Sequence, residues 1–260
     1  MIYESILVET RGRVGIVTLN RPEKRNALGR KMGDEIHDVV SAFNEDAGIG
    51  AIVITGADPA FCGGADVGDW KRDLDNDTRE SAGGGTNWVD FFSASKPIVC
   101  AVNGPSIGAG LTITLSCDVR IASDRARFSM RFVRIGLIPE LASTKLLPLI
   151  VGFSRALELM LTGKTIDAQE AERIGLVSRV VPHDRLMDEA VALASDIAFN
   201  PTESLFAIKK LTWANLLETD IHKVMTSEGQ ELMAAALRPS FREAVNAFLE
   251  KRQPNFHASA

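Results

Sequence analysis

The sequence predicts an α/β domain followed by a helical C-terminal region. Short β-branched runs recur through the first two thirds of the chain, and segments with helical spacing of apolar residues lie between them. From residue 185 onward almost every segment has helical spacing. A chain of 260 residues, with 45% hydrophobic and 24% charged side chains, has the composition of a globular protein with one large core.

The first elements are two strands, a helix and a third strand. The stretch "ILVETRGRVGIVTLNRP" predicts two strands joined by a Gly-Arg turn, and the second strand ends before Pro22. Residues 30–43 carry apolar side chains at helical spacing, and "AIVITG" at 51–56 is typical of a buried strand. Residues 69–87 are charged and then glycine-rich, which favours a surface connection.

The later elements alternate in the same way. "KPIVCAVNG" predicts a buried strand, and the glycine-rich and then apolar stretch after it predicts a buried helix before a strand at 118–122. Helical spacing over 142–161 and 167–175 predicts two helices, and "GLVSRVV" at 175–181 predicts a strand.

The C-terminal part has a different pattern from the rest of the chain. Its helical segments are interrupted at Pro201, where a helix must end or kink. We therefore predict a core domain over 1–200 and a helical region over 201–260 that belongs to the same fold.

Composition excludes several classes of protein. The formal net charge of −5 argues against a nucleic-acid or membrane-surface partner. Cys62, Cys100 and Cys117 lie in apolar or glycine-rich settings, which is typical of buried free thiols in a reducing compartment. Cys-x-x-Cys and His-x-x-x-His spacings are absent, so we predict no metal site. The N-terminus has no signal-peptide pattern and no apolar run has membrane-spanning length, so we expect a cytoplasmic protein.

Ser106 is a candidate nucleophile. It lies in "GPSIG", a Gly-x-Ser-x-Gly pattern that follows a predicted strand and precedes a predicted helix, as in serine hydrolases. A catalytic triad also needs a histidine, and His183, His222 and His257 lie in a turn, a helix and a polar tail. None is clearly placed as a base, so the hydrolase is the second hypothesis.

Two glycine-rich turns follow predicted strands, "AFCGGADV" at 60–67 and "GAG" at 108–110. Such turns leave backbone N–H groups free, and two of them could donate to one carbonyl oxygen as it acquires negative charge. For Asp66 in the first turn, a helix cap is the competing interpretation.

Glu140 is an acid within an apolar run, "GLIPEL". Because it follows Pro139, it can be explained as the opening of a helix. It can also be a catalytic base. Apolar neighbours would raise the pKa of this carboxyl group, and the N-terminus of a following helix would lower it. The residues alone leave both explanations open.

Several blocks of the sequence carry a resemblance to a known family. The blocks are "LNRPEKRNAL" (19–28), "AFCGGADV" (60–67), "KPIVCAVNGPSIGAG" (96–110), "SCDVRIAS" (116–123), "GLIPELASTKLLPLIVG" (136–152), "ALELMLTGKTIDAQEAERIGLVSRVVP" (156–182) and "FLEKRQPNF" (248–256). Together they resemble, in collinear order, the crotonase or enoyl-CoA hydratase/isomerase superfamily. The resemblance implies an α/β spiral of ββα units, C-terminal helices that build homotrimers or homohexamers, and an acyl-CoA thioester substrate. Coenzyme A would be part of that substrate, with no separate cofactor.

The resemblance also implies roles for individual residues. The oxyanion hole of the family falls on the backbone N–H groups of Ala65 and Ala109. Coenzyme A contacts fall on Lys24, Ala27, Gly63, Asp66 and Val67. Acyl-group contacts fall on Trp70, Trp88, Phe92, Phe132 and Leu137. Lys251 and Arg252 are further candidates for the phosphates of coenzyme A, with a solvated surface charge as the alternative for both and for Lys24. For the aromatic residues of 69–92, the alternative is a hydrophobic cluster that docks this segment.

The resemblance separates the possible reactions. The two glutamates of family hydratases fall on Thr112 and Phe132, which cannot act as bases, so two-glutamate hydration is disfavoured. Glu140, in the pattern Gly-Leu-x-x-Glu, matches the single glutamate of the peroxisome-type Δ3,Δ2-enoyl-CoA isomerases. We therefore predict an isomerase with Glu140 as its base. A hydratase-like lyase, a thioester hydrolase or dehalogenase with Glu140 as nucleophile, and a non-catalytic CoA-binding scaffold are the alternatives.

Overall fold

Two β-sheets organise the residues that the computed structural model describes, 3–78 and 87–257. The strands are β1 (Ile6–Arg11), β2 (Val14–Leu19), β3 (Ala51–Gly56), β4 (Ile98–Val102), β5 (Pro105–Ile107), β6 (Val119–Ser123), β7 (Arg127–Ser129), β8 (Thr165–Asp167) and β9 (Arg179–Val181). The larger sheet has the order β1-β2-β3-β4-β6-β9, and the smaller has the order β5-β7-β8. In the larger sheet β1 and β2 are antiparallel and the other pairs are parallel.

Helices cover both faces of the larger sheet and form the C-terminal region. They are α1 (Arg30–Glu45), α2 (Val67–Asp75), α3 (Trp88–Ser93), α4 (Ala109–Thr112), α5 (Ser143–Val151), α6 (Phe153–Thr162), α7 (Ala168–Arg173), α8 (Leu186–Ala198), α9 (Thr202–Asn215), α10 (Ile221–Ala235) and α11 (Pro239–Leu249). This mixed α/β arrangement with C-terminal helices confirms the predicted fold class.

The parallel strands are apolar on both faces, which explains their continuous hydrophobic sequences. In β4, Ile98, Cys100 and Val102 point into a core cluster with α1, while Val99 and Ala101 point into a second cluster with α8. Successive side chains of a strand face opposite sides, so one short run fills two layers of core.

Small residues let α8 lie close to the sheet. Ala190, Ala194 and Ala198 are buried at four-residue spacing on one face of this helix. At Gly50 an added Cβ would lie 2.7 Å from the Cβ of Ala198, so this contact requires glycine. The predicted strands therefore form a central layer between α8 and the core that contains the candidate site.

The three C-terminal helices expose many apolar side chains. Within the described chain α10 has no buried residue, and α9 is anchored by the ion pair of buried Lys209 with Asp118, 2.7 Å long. The large exposed apolar residues of this region are Ile208, Leu216, Leu217, Ile221, Met225, Leu232, Met233, Leu237, Phe241, Val245, Phe248 and Leu249. No helix in the described residues has both the length and the hydrophobicity of a membrane span.

Some predicted elements differ from the structure. The start of the predicted connection over 69–87 is helical, because Asp66 caps α2 by accepting from the Gly68 N–H, and 79–86 lies outside the described residues. The single helix predicted over 142–161 is two helices, α5 and α6, separated at Gly152, where φ is +85°.

Two other segments contain less regular structure than predicted. The buried helix expected after the glycine-rich stretch is the four-residue α4 followed by a 3-10 turn, Ile113–Ser116. Of the strand predicted over 175–181, only β9 pairs, because Leu176 N–H bonds back to the Ala171 carbonyl at the end of α7. In both places the local spacing of apolar residues predicts burial correctly but predicts too long a helix or strand.

Candidate active site

Two glycine-rich turns, residues 62–65 and 107–110, lie against each other, and we call them the paired turns. The Cys62 N–H donates to the Pro105 carbonyl at 3.0 Å, and the Ile107 N–H donates to the Cys62 carbonyl at 3.0 Å. The Cys62 thiol is fully buried here, and burial raises its pKa to about 11. Backbone bonding therefore fixes one turn relative to the other.

Close approach explains the glycines of the paired turns. At Gly110 an added Cβ would lie 2.3 Å from the Cys62 carbonyl oxygen, which no side chain can occupy. Gly64 has φ of +109°, a conformation that L residues rarely adopt, and its Cβ position lies 3.0 Å from the Ile107 carbonyl oxygen. The turns thus need glycine for both spacing and conformation.

Ala65 and Ala109 are the predicted donors of the paired turns. The bonds from the Leu28 N–H to the Gly64 carbonyl and from the Asp66 N–H to the Leu28 carbonyl hold the residues on either side of Ala65. Ala109 is the first residue of α4, where N–H groups have no partner within the helix. In the described ranges neither the Ala65 N–H nor the Ala109 N–H has a hydrogen-bond acceptor.

Glu140 lies next to the second of these donors. Its Oε1 is 3.3 Å from the Thr112 Oγ1, and the same Thr112 oxygen is 3.2 Å from the Ala109 carbonyl oxygen. Burial raises the pKa of Glu140, and the hydrogen bond from Thr112 partly opposes the increase. The structure therefore brings Glu140 and Ala109 together through Thr112.

The backbone around Glu140 shows that it does not open a helix. Leu141 and Ala142 both have left-handed φ values, 54° and 53°, and α5 begins only at Ser143. The Ser143 N–H donates to the Glu140 carbonyl at 3.1 Å, which closes this turn. The helix-opening explanation is therefore wrong. We call residues 136–142 the Glu140 loop. Its turn is strained, because each left-handed residue that is not glycine costs about 1–2 kcal/mol of conformational energy.

Phe132 lies beside the second paired turn. It is buried, and its Cζ is 3.9 Å from the position that a Cβ on Gly108 would take. Leu137 is half exposed, and its N–H donates to the Phe132 carbonyl at 3.0 Å. An aromatic ring thus takes up space next to the Ala109 turn.

The other predicted acyl contacts divide into two groups. Trp88 and Phe92 are buried in the main core, with ring centroids 5.3 Å apart, and Phe91 packs against them. Trp70 is partly exposed on α2. Trp88 and Phe92 thus hold α3 on the core, as in the alternative interpretation of docking.

Asp66 organises the predicted coenzyme A contacts. Its Oδ2 lies 3.0 Å from an Arg21 guanidinium nitrogen and 3.1 Å from the Lys24 Nζ. Partial burial raises the pKa of Asp66, but the hydrogen bonds from Lys24, Gly68 and Arg21 outweigh it, so the pKa is below its usual value. Lys24 remains half exposed, and the neighbouring Val67 is two-thirds exposed (67%).

Two smaller members of this group are backbone neighbours of the same segment. The Ala27 N–H donates to the Lys24 carbonyl at 3.1 Å, and the Gly63 N–H donates to the Arg25 carbonyl at 2.8 Å. Gly63 is exposed and Ala27 is partly exposed. The structure therefore brings the predicted coenzyme A contacts together around Asp66, at one edge of the paired turns.

Similarity to known proteins shows to which family this chain belongs. The family model for enoyl-CoA hydratase/isomerase matches residues 9–259. A protein of Mycobacterium tuberculosis named as a probable enoyl-CoA hydratase is 37% identical over 256 residues, which cover 98% of this chain and 99% of that protein. The crystal structure of an enoyl-CoA hydratase from Bacillus anthracis has a TM-score of 0.92 at 30% identity, covering 98% of this chain and 100% of that one. The chain belongs to the enoyl-CoA hydratase/isomerase family.

Family membership confirms the predicted superfamily and the crotonase fold. The chain is an enzyme of the enoyl-CoA hydratase/isomerase family. A further relative, 33% identical over 98% of this chain and 99% of its own length, is the crotonyl-CoA hydratase of Syntrophomonas wolfei. These relatives carry hydratase names, so the isomerase reaction stays a prediction within the enoyl-CoA hydratase/isomerase family.

Ser106 has a structural role in this enoyl-CoA hydratase/isomerase family member. Its Oγ is fully buried and donates to the Gly110 carbonyl at 2.8 Å, which braces the paired turns. Among the residues that the structure describes, the histidine that contacts a serine is His183, and its partner is Ser123, 3.1 Å away. A nucleophile must reach both substrate and base, so this geometry argues against the serine hydrolase.

The predicted phosphate ligands at the C-terminus have other partners. The Arg252 guanidinium pairs with Glu243 and Glu250, which raises its pKa above the usual range. Lys251 is exposed and has a left-handed φ of 52°. The contacts of Arg252 tie the chain end to α11, and within the described residues they do not involve the paired turns.

Sequence reasoning missed two groups of polar residues. The sequence interpretation treats Thr112 only as a position where a family glutamate is missing. In the structure its hydroxyl contacts Glu140. Behind the first paired turn, His183 contacts Asp58 at 3.1 Å, and Asn103 donates to the same carboxyl group at 2.9 Å. Partners that lie 28 to 125 residues apart leave no local sequence signal.

Proposed function

We propose that the protein is a Δ3,Δ2-enoyl-CoA isomerase in which Glu140 transfers the proton. The observation that carries the proposal is the contact between Glu140 and Thr112. Thr112 lies in the helix that begins at Ala109, so this contact holds a carboxyl group of raised pKa close to the Ala109 turn. A base whose pKa is raised toward neutrality can both accept a proton and return it.

In the proposed reaction the Glu140 carboxylate removes a proton from C2 of a 3-enoyl-CoA thioester. The electron pair moves into the thioester carbonyl and gives a dienolate, whose oxygen accepts hydrogen bonds from the Ala65 and Ala109 N–H groups. Glu140 then returns the proton to C4 as the C2–C3 double bond forms. Each donor aimed at the developing charge stabilises the transition state by roughly 3–4 kcal/mol.

The substrate is an acyl-CoA thioester in this proposal, with coenzyme A as part of the substrate and no separate cofactor. Lys24, with Asp66 fixing its position, is suited to a phosphate of coenzyme A because its charged side chain is half exposed. The exposed backbone of Gly63 and the side chains of Ala27 and Val67 offer contact surface beside it.

A hydratase is the second candidate, because the relatives described above are named as hydratases. Hydration needs one group to deprotonate water and another to manage the α-proton. The Phe132 ring next to Gly108 offers no polar atom for water, and Thr112 is not a base near neutral pH. These two positions favour isomerisation.

The test is the conversion of 3-enoyl-CoA thioesters to conjugated 2-enoyl-CoA, followed by ultraviolet absorbance, beside hydration of 2-enoyl-CoA by the same preparation. Glu140→Gln should lower isomerase kcat by about 1,000-fold or more, in the range reported for removal of a general base with its positioning. Glu9→Gln, on exposed β1, is the matched control and should retain full activity.

Two results at Glu140 itself would contradict the isomerase. One is a Glu140→Gln variant that turns over 3-enoyl-CoA at the wild-type rate. The other is a covalent acyl-enzyme on Glu140, detected by mass spectrometry after mixing with substrate, which would favour the hydrolase or dehalogenase. Binding of a broad acyl-CoA panel without turnover would instead favour a non-catalytic scaffold.

We also propose that the chain forms homotrimers, or hexamers of paired trimers. The exposed apolar residues of α9–α11 support this, since contiguous exposed apolar surface marks an interface and α10 buries no residue of its own within the described chain. Light scattering coupled to size-exclusion chromatography measures the mass directly. A stable monomer of 28.2 kDa would contradict the proposal.

A further inference from the structure

The Thr112 hydroxyl lies between two oxygen atoms. It is fully buried, 3.2 Å from the Ala109 carbonyl oxygen and 3.3 Å from Oε1 of Glu140. A hydroxyl has one proton to donate and can also accept, whereas a carbonyl oxygen and an ionised carboxylate only accept. The arrangement therefore changes with the protonation of Glu140.

When Glu140 is ionised, the single Thr112 proton can point to the carboxylate and strengthen a charge-assisted hydrogen bond. When Glu140 carries a proton, its own O–H can donate to Thr112 Oγ1, and the Thr112 proton then points to the Ala109 carbonyl oxygen. The Thr112 O–H bond stays intact in this change, because the hydroxyl only rotates from one acceptor to the other. Both protonation states of Glu140 thus keep one hydrogen bond to the same oxygen atom.

We propose that Thr112 is a positioning residue that holds the Glu140 side chain in one orientation both before and after it takes up the substrate proton. The proposal rests on the proposed function, because an isomerase base must hold a proton and return it two carbons away. Thr112 also links the base to a proposed oxyanion donor, the Ala109 N–H, because Thr112 and Ala109 both belong to α4.

The surroundings of Glu140 indicate that Thr112 is the residue that positions its side chain. Within the described residues no lysine, arginine or histidine lies within ion-pair distance of Glu140, and burial and the Thr112 hydrogen bond are the two causes of its shifted pKa. Leu141 and Ala142 fix the backbone but not the rotation of the side chain. Without the hydroxyl, the carboxyl group would lose its side-chain hydrogen-bond partner.

The test compares Thr112→Val with Thr114→Val. Thr114 is a matched control, because it is equally buried and its hydroxyl donates to the Leu111 carbonyl at 2.8 Å without contacting Glu140. Thr112→Val should lower isomerase kcat by about tenfold, as expected for one hydrogen bond to a charged group, with KM changed less than twofold. Thr114→Val should leave kcat within about twofold, and Thr112→Ser should restore most of the activity.

The pH profile separates positioning from packing. Loss of the Thr112 donor raises the pKa of Glu140, so the acidic limb of kcat should move to higher pH in Thr112→Val and stay in place in Thr114→Val and Thr112→Ser. An unmoved limb together with an unchanged kcat in Thr112→Val would overturn the proposal. If the valine variant does not fold, Thr112→Cys, a weaker donor of similar size, should show the same direction of change.

A second readout follows the proton itself. With substrate deuterated at C2, the wild type should deliver part of the label to C4, and Thr112→Val should deliver a smaller fraction because an unheld acid exchanges with solvent before it returns the proton. Equal label transfer in both would count against Thr112 as the positioning residue. Failure of the proposed function has a different signature, which is full activity of Glu140→Gln.

Discussion

The paired turns and the Glu140 loop are built in opposite ways. The paired turns are joined through their backbones, by hydrogen bonds of 3.0 Å and by a carbonyl contact at Gly110 that only glycine permits. The Glu140 loop lies largely at the surface, with Ile138 83% exposed and two left-handed residues that are not glycine. Its acid is held by one side-chain hydrogen bond, from Thr112.

This difference separates two tasks of the site. Backbone donors are the same for any sequence, so a turn that presents them can be kept while the reaction changes. A side-chain base can be replaced or moved by altering one loop. In the proposed isomerase, the carboxyl group of Glu140, with Thr112 and Phe132 at the positions where the resemblance predicts glutamates, would be an instance of such a change. Four substitutions test this division.

Apart from the loss of turnover already expected for Glu140→Gln, the largest effect is expected at Gly110, inside the paired turns. Gly110→Ala would bring a methyl group to 2.3 Å from the Cys62 carbonyl oxygen, so the turns must separate. We expect kcat/KM to fall by about 100-fold, the cost of a misplacement of around 1 Å, with a lower Tm. Gly229→Ala, where an added Cβ meets no atom within 4 Å, is the control and should have wild-type kinetics. Equal activity of the two variants would mean that the turns need not be rigid.

At the edge of the paired turns, Lys24→Ala should weaken binding without affecting chemistry. A half-exposed cation on a phosphate contributes about 1 kcal/mol, so KM for acyl-CoA should rise about fivefold at constant kcat. Lys71→Ala on α2, a more exposed lysine paired with Asp75, should leave KM unchanged. A smaller KM effect at high salt would support the electrostatic origin, whereas an effect on kcat alone would contradict it.

In the Glu140 loop, the acid should reduce stability at neutral pH. Its pKa in the folded protein is raised from 4.5, so the folded state binds the proton more tightly than the unfolded state. The favourable contribution of protonated Glu140 is present below the unfolded pKa and is lost as pH rises through the folded pKa. Glu140→Gln should therefore raise Tm at pH 8 relative to wild type, and the difference should shrink toward pH 4. A difference in Tm that is independent of pH would contradict the burial of this carboxyl group.

The smallest effect concerns the strain of the same loop. Ala142→Gly relieves a left-handed alanine, worth about 1–2 kcal/mol, against about 0.5–1 kcal/mol of added chain entropy in the unfolded state. We expect a net gain of about 0.5 kcal/mol in the free energy of unfolding, measured with urea. Ala42→Gly, at an exposed position within α1, should instead lose about 0.5–1 kcal/mol. A loss in both variants would mean that the Glu140 loop is not strained.

The buried strands were predictable because their signal is local. A run such as "AIVITG" is apolar on both faces, and only a strand between two layers requires that. The two glycine-rich turns were also recognisable in the sequence, as a source of free backbone N–H groups. The competing explanation of Pro139 and Glu140 as a helix opening is wrong, because the chain turns left-handed at Leu141 and α5 starts at Ser143, one residue after the predicted start at 142.

The contacts between the site residues were harder to predict from the sequence than the residues themselves. Thr112 and Glu140 are 28 positions apart, and threonine in a buried helical turn gives no indication of its partner. Asp66 was predicted both as a coenzyme A contact and as a helix cap, and the structure confirms the cap while Arg21 and Lys24 share its carboxylate. Side chains that connect distant segments depend on the packing of the whole domain, which a local pattern does not contain.

The buried thiol of Cys62 makes the paired turns a reporter of their own opening. With its pKa raised to about 11 and its side chain shielded from solvent, Cys62 has almost no reactive thiolate in the native state. Alkylation therefore requires that the turns first separate. The rate at which an alkylating reagent labels this residue measures how often they do so, without any substrate present. A ligand that bridges the two turns would slow that labelling in proportion to its occupancy.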